Sequence, residues 1–205
     1  MDFWADSPPA TRNQTSIVGE LGERLVAGWL QQQTWVILHH RWHCRWGEID
    51  LIARQNPVQD ETIRGEERST TLPQSPQPAT RMLHQPPSPS LLAFVEVKTR
   101  SRGNWDADGR LALTSSKQTK LWRTASSFLA KYPNFANVPC RFDVALVSCQ
   151  RVSQGSPDRN DDVSWAAIGN KAIQIPLVQL GQPLLMAGYR LTLQDYIQSA
   201  FDLSA

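Results

Sequence analysis

The sequence is poor in cysteine, in long apolar stretches and in net charge, and each shortage excludes a class of protein. Three cysteines occur among 205 residues, without CxxC spacing, so a disulfide framework and a structural zinc site are both poorly supported. No apolar run approaches the roughly 18 residues that a membrane-spanning helix needs. The N-terminus lacks a basic region followed by an apolar core, which argues against a signal peptide. We therefore expect a cytoplasmic protein with free thiols.

The net charge of only +2 hides an uneven distribution. Residues 92–151 carry ten Lys or Arg against four Asp or Glu, whereas the rest of the chain is net acidic. A locally basic segment in a near-neutral protein is typical of a face that binds a polyanion. A solvated helix surface explains the charge equally well.

The spacing of apolar residues predicts a mixture of helices and strands. Apolar residues recur at helical spacing after Ser16, a candidate N-cap, and predict a first helix over 16–33. A serine-capped second helix is predicted from Ser115 or Ser116 to Ala130. Strands are predicted over 35–40, 44–53, 90–100 and 141–149, with a turn at 41–43. The order α-β-β-β-α-β indicates an α/β fold with a mixed central β-sheet flanked by helices.

The remaining segments differ in composition. Residues 1–15 are polar and are predicted to be a disordered tail. Residues 54–91 hold seven of the fourteen prolines among Gln, Ser and Thr, and they cannot bury enough apolar surface to offset their ordering entropy. Strand patterns flank this segment closely, so we predict a proline-rich mobile insertion within one domain over 16–150. The extension over 151–205 is predicted to end in an amphipathic helix over 191–201.

Two predicted strands carry acids among apolar residues. In RWGEIDLIA, Glu48 and Asp50 lie two residues apart, and FVEVK holds Glu96 and Lys98 in the same spacing. Residues two apart in an extended strand share a face. Each pair therefore projects one way, while the intervening and following apolar side chains, such as Ile49, project the other way. If the two strands are neighbours, Asp50, Glu96 and Lys98 form one patch.

Such a patch contains the groups that phosphodiester hydrolysis needs. Carboxylate oxygens hold Mg²⁺, a hard cation that prefers oxygen ligands and keeps several waters. The metal stabilises developing charge and activates the attacking water, and a lysine can position that water or stabilise the transition state. The structural alternative is a salt bridge between Lys98 and Glu96 or Asp50 on an exposed sheet face. That alternative is the commoner role of an isolated E-x-K.

The chain resembles the YraN-like family of uncharacterised bacterial proteins, which have a restriction-endonuclease-like fold. The resemblance is carried by GERLVAGWLQQQTWVIL (22–38), RWGEIDLIA (45–53), FVEVKTRS (94–101), SKQTKL (116–121) and CRFDVALV (140–147). The paired acidic motifs are also similar to the PD-(D/E)XK pattern of archaeal Holliday-junction resolvases. There a helix Glu, a strand Asp and a strand E-x-K form the metal site.

The resemblance implies a function and a set of residues. Glu23, Asp50, Glu96 and Lys98 would be catalytic, with the three acids as ligands of Mg²⁺ or Mn²⁺. The implied activity is a metal-dependent endonuclease acting on DNA, such as branched or recombination and repair intermediates, and related resolvases suggest a homodimer. The alternatives are a nucleic-acid-binding protein that keeps the nuclease fold without cleaving, and an interaction module that recruits a partner through 54–91.

Further residues have open roles. Glu48 is either an additional ligand or a partner of Arg45. Four basic residues near the E-x-K strand end are candidates for nucleic-acid binding, although each could be a surface charge: Arg100, Arg102, Lys117 and Lys120. The family usually has glycine at Thr34, asparagine at Arg41 and arginine at His43, which puts contacts by the turn before GEID in doubt.

For four other residues we favour a structural role. Glu20 lies on nearly the same helix face as Glu23 and is predicted to serve solubility. Asp143 is predicted to be a partner of Arg141 or of the backbone. Trp42 and Trp46 flank the predicted turn, and packing against a helix is favoured there over base stacking.

Overall fold

The structure describes residues 14–55, 90–101, 113–152 and 176–201. In this computed structural model they form a six-stranded β-sheet with a long helix packed against each face. The elements in chain order are α1 Gln14–Gln32, β1 Trp35–Cys44, β2 Gly47–Gln55, β3 Leu92–Arg100, α2 Ser115–Lys131, a 3₁₀ turn Pro133–Phe135, β4 Cys140–Arg151, β5 Pro183–Met186 and β6 Tyr189–Ile197.

The sheet is mixed and has the strand order β1-β2-β3-β4-β6-β5. Strands β3 and β4 run parallel, whereas each other neighbouring pair runs antiparallel. A parallel pair needs a long crossover connection, and α2 provides it. The predicted α/β fold, with the order α-β-β-β-α-β around a mixed central sheet, is confirmed and is the arrangement expected of a restriction-endonuclease-like core.

Two apolar layers hold the helices against the sheet. Alternating residues of β3 divide between them, with Ala93 and Val95 facing α1 and Leu92 and Phe94 facing α2. The Phe94 ring meets the Phe128 ring of α2 edge to face, with centroids 5.9 Å apart. Burial on both faces explains why β3 reads as an almost continuous apolar run up to Glu96.

The ends of both helices differ in detail from the predictions. Helix α1 begins at Gln14, so Ser16 lies inside it and is not its N-cap. Thr114, and not a serine, caps α2, because its hydroxyl accepts a hydrogen bond from the Lys117 N–H at 3.3 Å. Just after α1, Thr34 has a φ of 65°. That conformation suits glycine, which accounts for the glycine usual in the YraN-like family at this position.

The hairpin that joins β1 to β2 turns later than predicted. Strand β1 continues through the predicted turn at 41–43, and its last pair is Cys44 with Gly47, so the loop is Arg45–Trp46. Arg41 lies within β1 with a φ of 49°. The left-handed region is costly for most residues but tolerated by asparagine, the residue usual in the family here. Sequence reasoning placed a turn where the strand has only a local distortion.

Helix α1 lies very close to β3 at one glycine. A Cβ added to Gly22 would lie 3.2 Å from the Thr99 Cβ and 3.3 Å from its Cγ2, and nearer still to its hydroxyl oxygen. Only glycine allows this approach without displacing the helix or the strand. The close contact sets the position of the next residue, Glu23, relative to the charged end of β3.

The predicted final helix over 191–201 is wrong. Residues Tyr189–Ile197 form β6, which pairs antiparallel with β4. Strand β5 precedes it through a two-residue loop, Ala187 and Gly188, both with positive φ (53° and 77°), as in the turns that suit tight hairpins. Pairing with the free edge of β4 outweighed the helical spacing of the apolar residues in this segment.

Several predictions lie outside the described residues. These are most of the tail over 1–15, most of the insertion over 54–91, and Arg102. Gln14 and Thr15 belong to α1, and Arg54 and Gln55 belong to β2, so the predicted bounds of tail and insertion were too wide. Within the ranges that are described, neither helix is long and apolar enough to cross a membrane.

Candidate active site

The acidic motifs of β2 and β3 meet where the two strands stop pairing. Their last backbone pair is Leu51 with Val95, so Asp50 and Glu96 are the next residues along each strand. The Asp50 Oδ2 accepts a hydrogen bond from the Val97 N–H at 2.7 Å. A side-chain oxygen thus satisfies a strand N–H at the point where the ladder ends.

The β2 strand does not alternate regularly through this point. Ile49 packs in the layer facing α2, whereas Leu51 packs in the layer facing α1. Our expectation that the apolar neighbours of Asp50 share one face is therefore wrong. On β3 the expected alternation holds, since Val95 and Val97 lie on the α1 side.

Glu96 is a buried carboxylate with two ammonium groups on one of its oxygens. It is 5% exposed. Its Oε1 lies 2.6 Å from Lys98 Nζ and 3.1 Å from Lys117 Nζ. Its Oε2 is buried and has no hydrogen-bond partner. A buried carboxylate oxygen without a partner is costly, and this one is the atom at the site that is best placed to receive a cation.

The surroundings of Asp50 disfavour the charged form of its carboxyl group. Burial of its carboxyl group is the largest cause and, together with the nearby Glu96 charge and then the Glu23 charge, raises the pKa of Asp50 to about 8; the Val97 N–H and Lys117 act in the opposite direction. Two carboxylates that repel each other in a buried place need a proton or a cation. The arrangement therefore favours binding of a positive ion.

Glu23 reaches the same region from α1 but has strong partners of its own. Arg41 donates to both of its oxygens, from Nε at 2.8 Å and from Nη2 at 2.9 Å, and His40 Nε2 lies 2.9 Å from Oε2. Burial acts to raise the pKa of Glu23, but the hydrogen bonds and charges of His40 and Arg41 outweigh it, so that the pKa is lowered. Glu23 thus supplies negative charge near Asp50, while both of its oxygens are engaged by Arg41.

The donor set fits a hard cation that keeps part of its water shell. In the part of the chain that is described, no three His, Cys, Asp or Glu side chains form a ready-made metal cage. Two adjacent carboxylates, one with an unsatisfied oxygen, are what Mg²⁺ uses when substrate and water complete its coordination. The Asp50–Glu96 pair fits such an ion, and Glu23 would join it only by releasing Arg41.

Of the other predicted site residues, Lys117 contacts Glu96, whereas others are exposed. Lys117 turns towards Glu96, and its contact there is one that sequence reasoning missed. Glu48 is exposed on β2, and its charge contributes to a raised pKa of Arg41. Arg100 and Lys120 are exposed, which leaves them available for backbone phosphates.

Some partners could not be read from sequence spacing. Arg41 and Glu23 lie 18 residues apart on different elements, and their pairing depends on how α1 crosses β1. The prediction that Glu20 serves solubility is wrong, because it is 6% exposed and forms an ion pair with Arg24 at 2.7 Å. A charge four residues away on a helix was the available signal.

The structural roles of Asp143 and Trp42 are confirmed. Asp143 accepts from Arg141 Nε at 3.0 Å, from the Tyr196 hydroxyl at 2.8 Å and from the Ser199 N–H at 2.9 Å. Trp42 packs against Phe128 of α2, with ring centroids 5.9 Å apart. The three cysteines are free, as expected.

Comparison with known proteins identifies the family of this chain. Residues 22–147 match the uncharacterised protein family UPF0102, and this range includes the Glu23, Asp50, Glu96 and Lys98 positions. The chain belongs to the UPF0102 family. This confirms the YraN-like resemblance.

UPF0102 relatives match nearly the whole length of the chain. A UPF0102 protein of Acaryochloris marina is 44% identical over 95% of both chains. One from Trichodesmium erythraeum is 43% identical over 89% of this chain and 87% of its own, and one from a Nostoc species is 41% identical over 90% and 94%. The family match ends at residue 147, within β4, whereas the first relative aligns over a much longer stretch.

Proposed function

We propose that this UPF0102 protein is a Mg²⁺- or Mn²⁺-dependent nuclease that hydrolyses phosphodiester bonds in DNA. One observation carries the proposal. Asp50 and Glu96 meet where β2 and β3 stop pairing, and the second oxygen of Glu96 is buried without a partner. Like charges brought together at the end of a strand pair, with lysines beside them, favour a cation and an anionic substrate.

Each residue has a distinct role in the proposed mechanism. Asp50 and the Oε2 of Glu96 would hold the ion, which would supply charge neutralisation at the phosphate and a water of lowered pKa. Lys98 and Lys117, both on the Oε1 of Glu96, place positive charge where the negative charge of the transition state develops. Glu23, held by Arg41, adds the negative charge that favours the ion.

Metal-dependent cleavage tests the proposal directly. Purified protein is incubated with single-stranded, duplex and four-way-junction DNA in Mg²⁺ or Mn²⁺. Asp50→Asn and Glu96→Gln should each lower the cleavage rate by more than about a hundredfold, because loss of a ligand costs more than the 10- to 100-fold typical of groups that only orient ligands. Asp195→Asn, an exposed carboxylate on β6, should cleave at the normal rate. Absence of cleavage for all substrates, or cleavage unaffected by both site variants, contradicts the proposal.

Nucleic-acid binding without cleavage is the second candidate. The observation that favours it is the closed ion pair of Glu23 with Arg41, which leaves the site with two available carboxylates. Binding that weakens steeply with salt, together with no turnover in either metal, would establish this candidate.

The proposal also covers the cellular location and the oligomeric state of the protein. We place the protein in the cytoplasm, where its three free thiols persist. We also expect a homodimer, and sedimentation of the purified protein tests that expectation.

A further inference from the structure

A surface groove with exposed tryptophans lies beside the candidate active site. Its lining consists of the β1–β2 loop and one face of α2: Arg45, Trp46, Trp122, Arg123, Ser126 and Ser127. The groove is open and has a volume of about 800 Å³, within the size range of ligand sites. Trp46 is 38% exposed and Trp122 is 49% exposed. Exposed indole rings on two adjacent segments need an explanation, since tryptophan is usually largely buried.

The groove is positively charged. The Arg45 guanidinium lies 4.7 Å from the centre of the Trp46 ring, and that of Arg123 lies 5.0 Å from it. Such cation–π contacts hold the guanidinium groups beside the ring. The lining contains no carboxylate, and no acid in the described ranges forms an ion pair with either arginine. The chemistry is therefore that of an aromatic surface for an anionic ligand.

The β1–β2 loop lies close against α2. Gly47, directly after the loop, has a φ of 148°, and a Cβ there would lie 3.4 Å from the Thr124 Oγ1 of α2. The Trp46 N–H donates to the Cys44 sulfur at 3.4 Å. A preorganised surface loses less entropy when it binds a ligand.

The groove and the active site share the same two elements. Trp46, in the loop that leads into β2, lies four residues before Asp50, which is at most about 13 Å at 3.3 Å per extended residue. On α2, Trp122 lies five residues after Lys117, about 7.5 Å along the helix. At about 3.4 Å per stacked nucleotide, the separation of Trp46 from Asp50 corresponds to at most about four nucleotides. One strand could therefore occupy the groove and the active site together.

From this placement we propose that the groove binds unpaired bases of a single-stranded DNA segment, with Trp122 as the stacking platform and with Arg45 and Arg123, which lie over the Trp46 ring, as phosphate or base contacts. Bases within a duplex are stacked on each other and do not reach such rings, whereas single strands combine aromatic stacking with a basic groove. The inference deepens the proposed nuclease function by assigning a single-stranded part of its substrate. Trp46 has the contact with α2 that the sequence favoured, through Arg123, and Trp42 packs against Phe128 of the same helix.

Binding measured without metal tests the groove separately from catalysis. A fluorescent single-stranded DNA 12-mer is titrated with the full chain in EDTA, so that no cleavage is possible, and anisotropy is recorded. Trp122→Ala should weaken binding by about five- to a hundredfold, as expected for the loss of one base stack. Trp122→Phe should retain most of the affinity, because an aromatic face remains. Arg123→Ala should reduce the slope of log affinity against log salt by about one.

The control is Leu180→Ala, which removes another exposed apolar side chain (51% exposed) and should leave binding unchanged. Circular dichroism confirms that each variant is folded. Unchanged affinity in both Trp122→Ala and Arg123→Ala, the result expected if the groove serves a protein partner, overturns the inference. So does wild-type protein that does not bind the 12-mer, even if it cuts duplex DNA. Groove-dependent binding without any cleavage supports the inference and removes the nuclease proposal.

Discussion

Asp50, which is partly buried, and Asp143, which is buried, lie in the same sheet but have opposite surroundings. Asp143 is 1% exposed, and its two oxygens receive hydrogen bonds from Arg141, Tyr196 and the Ser199 N–H. Asp50 has a hydrogen bond from the Val97 N–H and faces the negative charges of Glu96 and Glu23. Hydrogen-bond donors of the protein surround the Asp143 carboxylate. The Asp50 carboxylate has fewer donors and needs a proton or a cation from solution.

The difference separates a structural acid from a candidate functional one. A buried charge with several well-placed donors stabilises a particular packing. A buried carboxylate beside other carboxylates raises the free energy of the folded state until it takes up a proton or a cation, which is typical of functional sites. Asp50 is also the less buried of the two, but it is their partners that separate their roles.

The largest expected effect is the loss of Asp143. Asp143→Ala leaves Arg141 and the Tyr196 hydroxyl without their partner and should lower the free energy of unfolding by about 3–5 kcal/mol. Urea denaturation measures the loss. Asp195→Ala, an exposed acid on β6, should change stability by less than about 0.5 kcal/mol. Equal, small effects of both variants would show that the Asp143 network does not stabilise the fold.

Replacing Asp50 should stabilise the protein, whereas replacing Asp143 should destabilise it. Its pKa of about 8 in the folded protein lies above its ordinary value of 3.8, so the folded state keeps a proton that the unfolded chain releases between these values. The metal-free protein should therefore lose stability as pH rises from about 4 to about 8. Asp50→Asn should remove this dependence and raise the free energy of unfolding at pH 8 by about 1 kcal/mol or more.

Melting temperatures across this pH range, with and without Mg²⁺, provide the measurement. Mg²⁺ should stabilise the wild type most at pH 8 and should have little effect on Asp50→Asn. A wild-type melting temperature that is constant between pH 4 and 8 without metal would mean that Asp50 does not keep its proton.

The smallest effect is expected at one donor of the Asp143 network. Burial and the Asp143 charge raise the pKa of Tyr196, and its hydroxyl donates to Asp143 throughout the physiological range. Tyr196→Phe removes this hydrogen bond but retains the ring that packs against Trp29, and should cost about 1 kcal/mol. Tyr189→Phe, in the same strand, is the matched control. A loss as large as that of Asp143→Ala would mean that Tyr196 is the main partner of Asp143.

The sequence predicted the central part of the fold better than its end. Strand β3 and both helices have strong local patterns, and the structure confirms their type and approximate bounds. In β6 and the residues after it, Leu193, Ile197 and Phe201 recur every four residues, which favours a helix. Leu191 and Leu193 also follow strand spacing, and the Ala187–Gly188 pair was an available hairpin signal. The segment forms a strand because it pairs with the open edge of β4, and local spacing does not reveal that edge.

The candidate site was predicted as residue types but not as contacts. The i, i+2 spacing brought Glu96 and Lys98 onto one face, and their ion pair is present at 2.6 Å. Whether Asp50 faces Glu96 depended on which strands are neighbours in the sheet, and 45 residues separate the two acids in the chain. Roles as metal ligands or catalytic residues stay predictions until the cleavage and Mg²⁺ experiments are done.

The distant partners of Asp143 have a consequence for protein synthesis. Tyr196 and Ser199 follow Asp143 by 53 and 56 residues, so at about 5–20 residues per second the ribosome needs about 3–11 s to add them. During that time the edge of β4 has no partner strand, and the Asp143 carboxylate must remain hydrated. The nascent chain therefore cannot complete its central sheet domain until β6 has left the ribosome, which makes this interval the one in which a chaperone that covers β4 would be of most use.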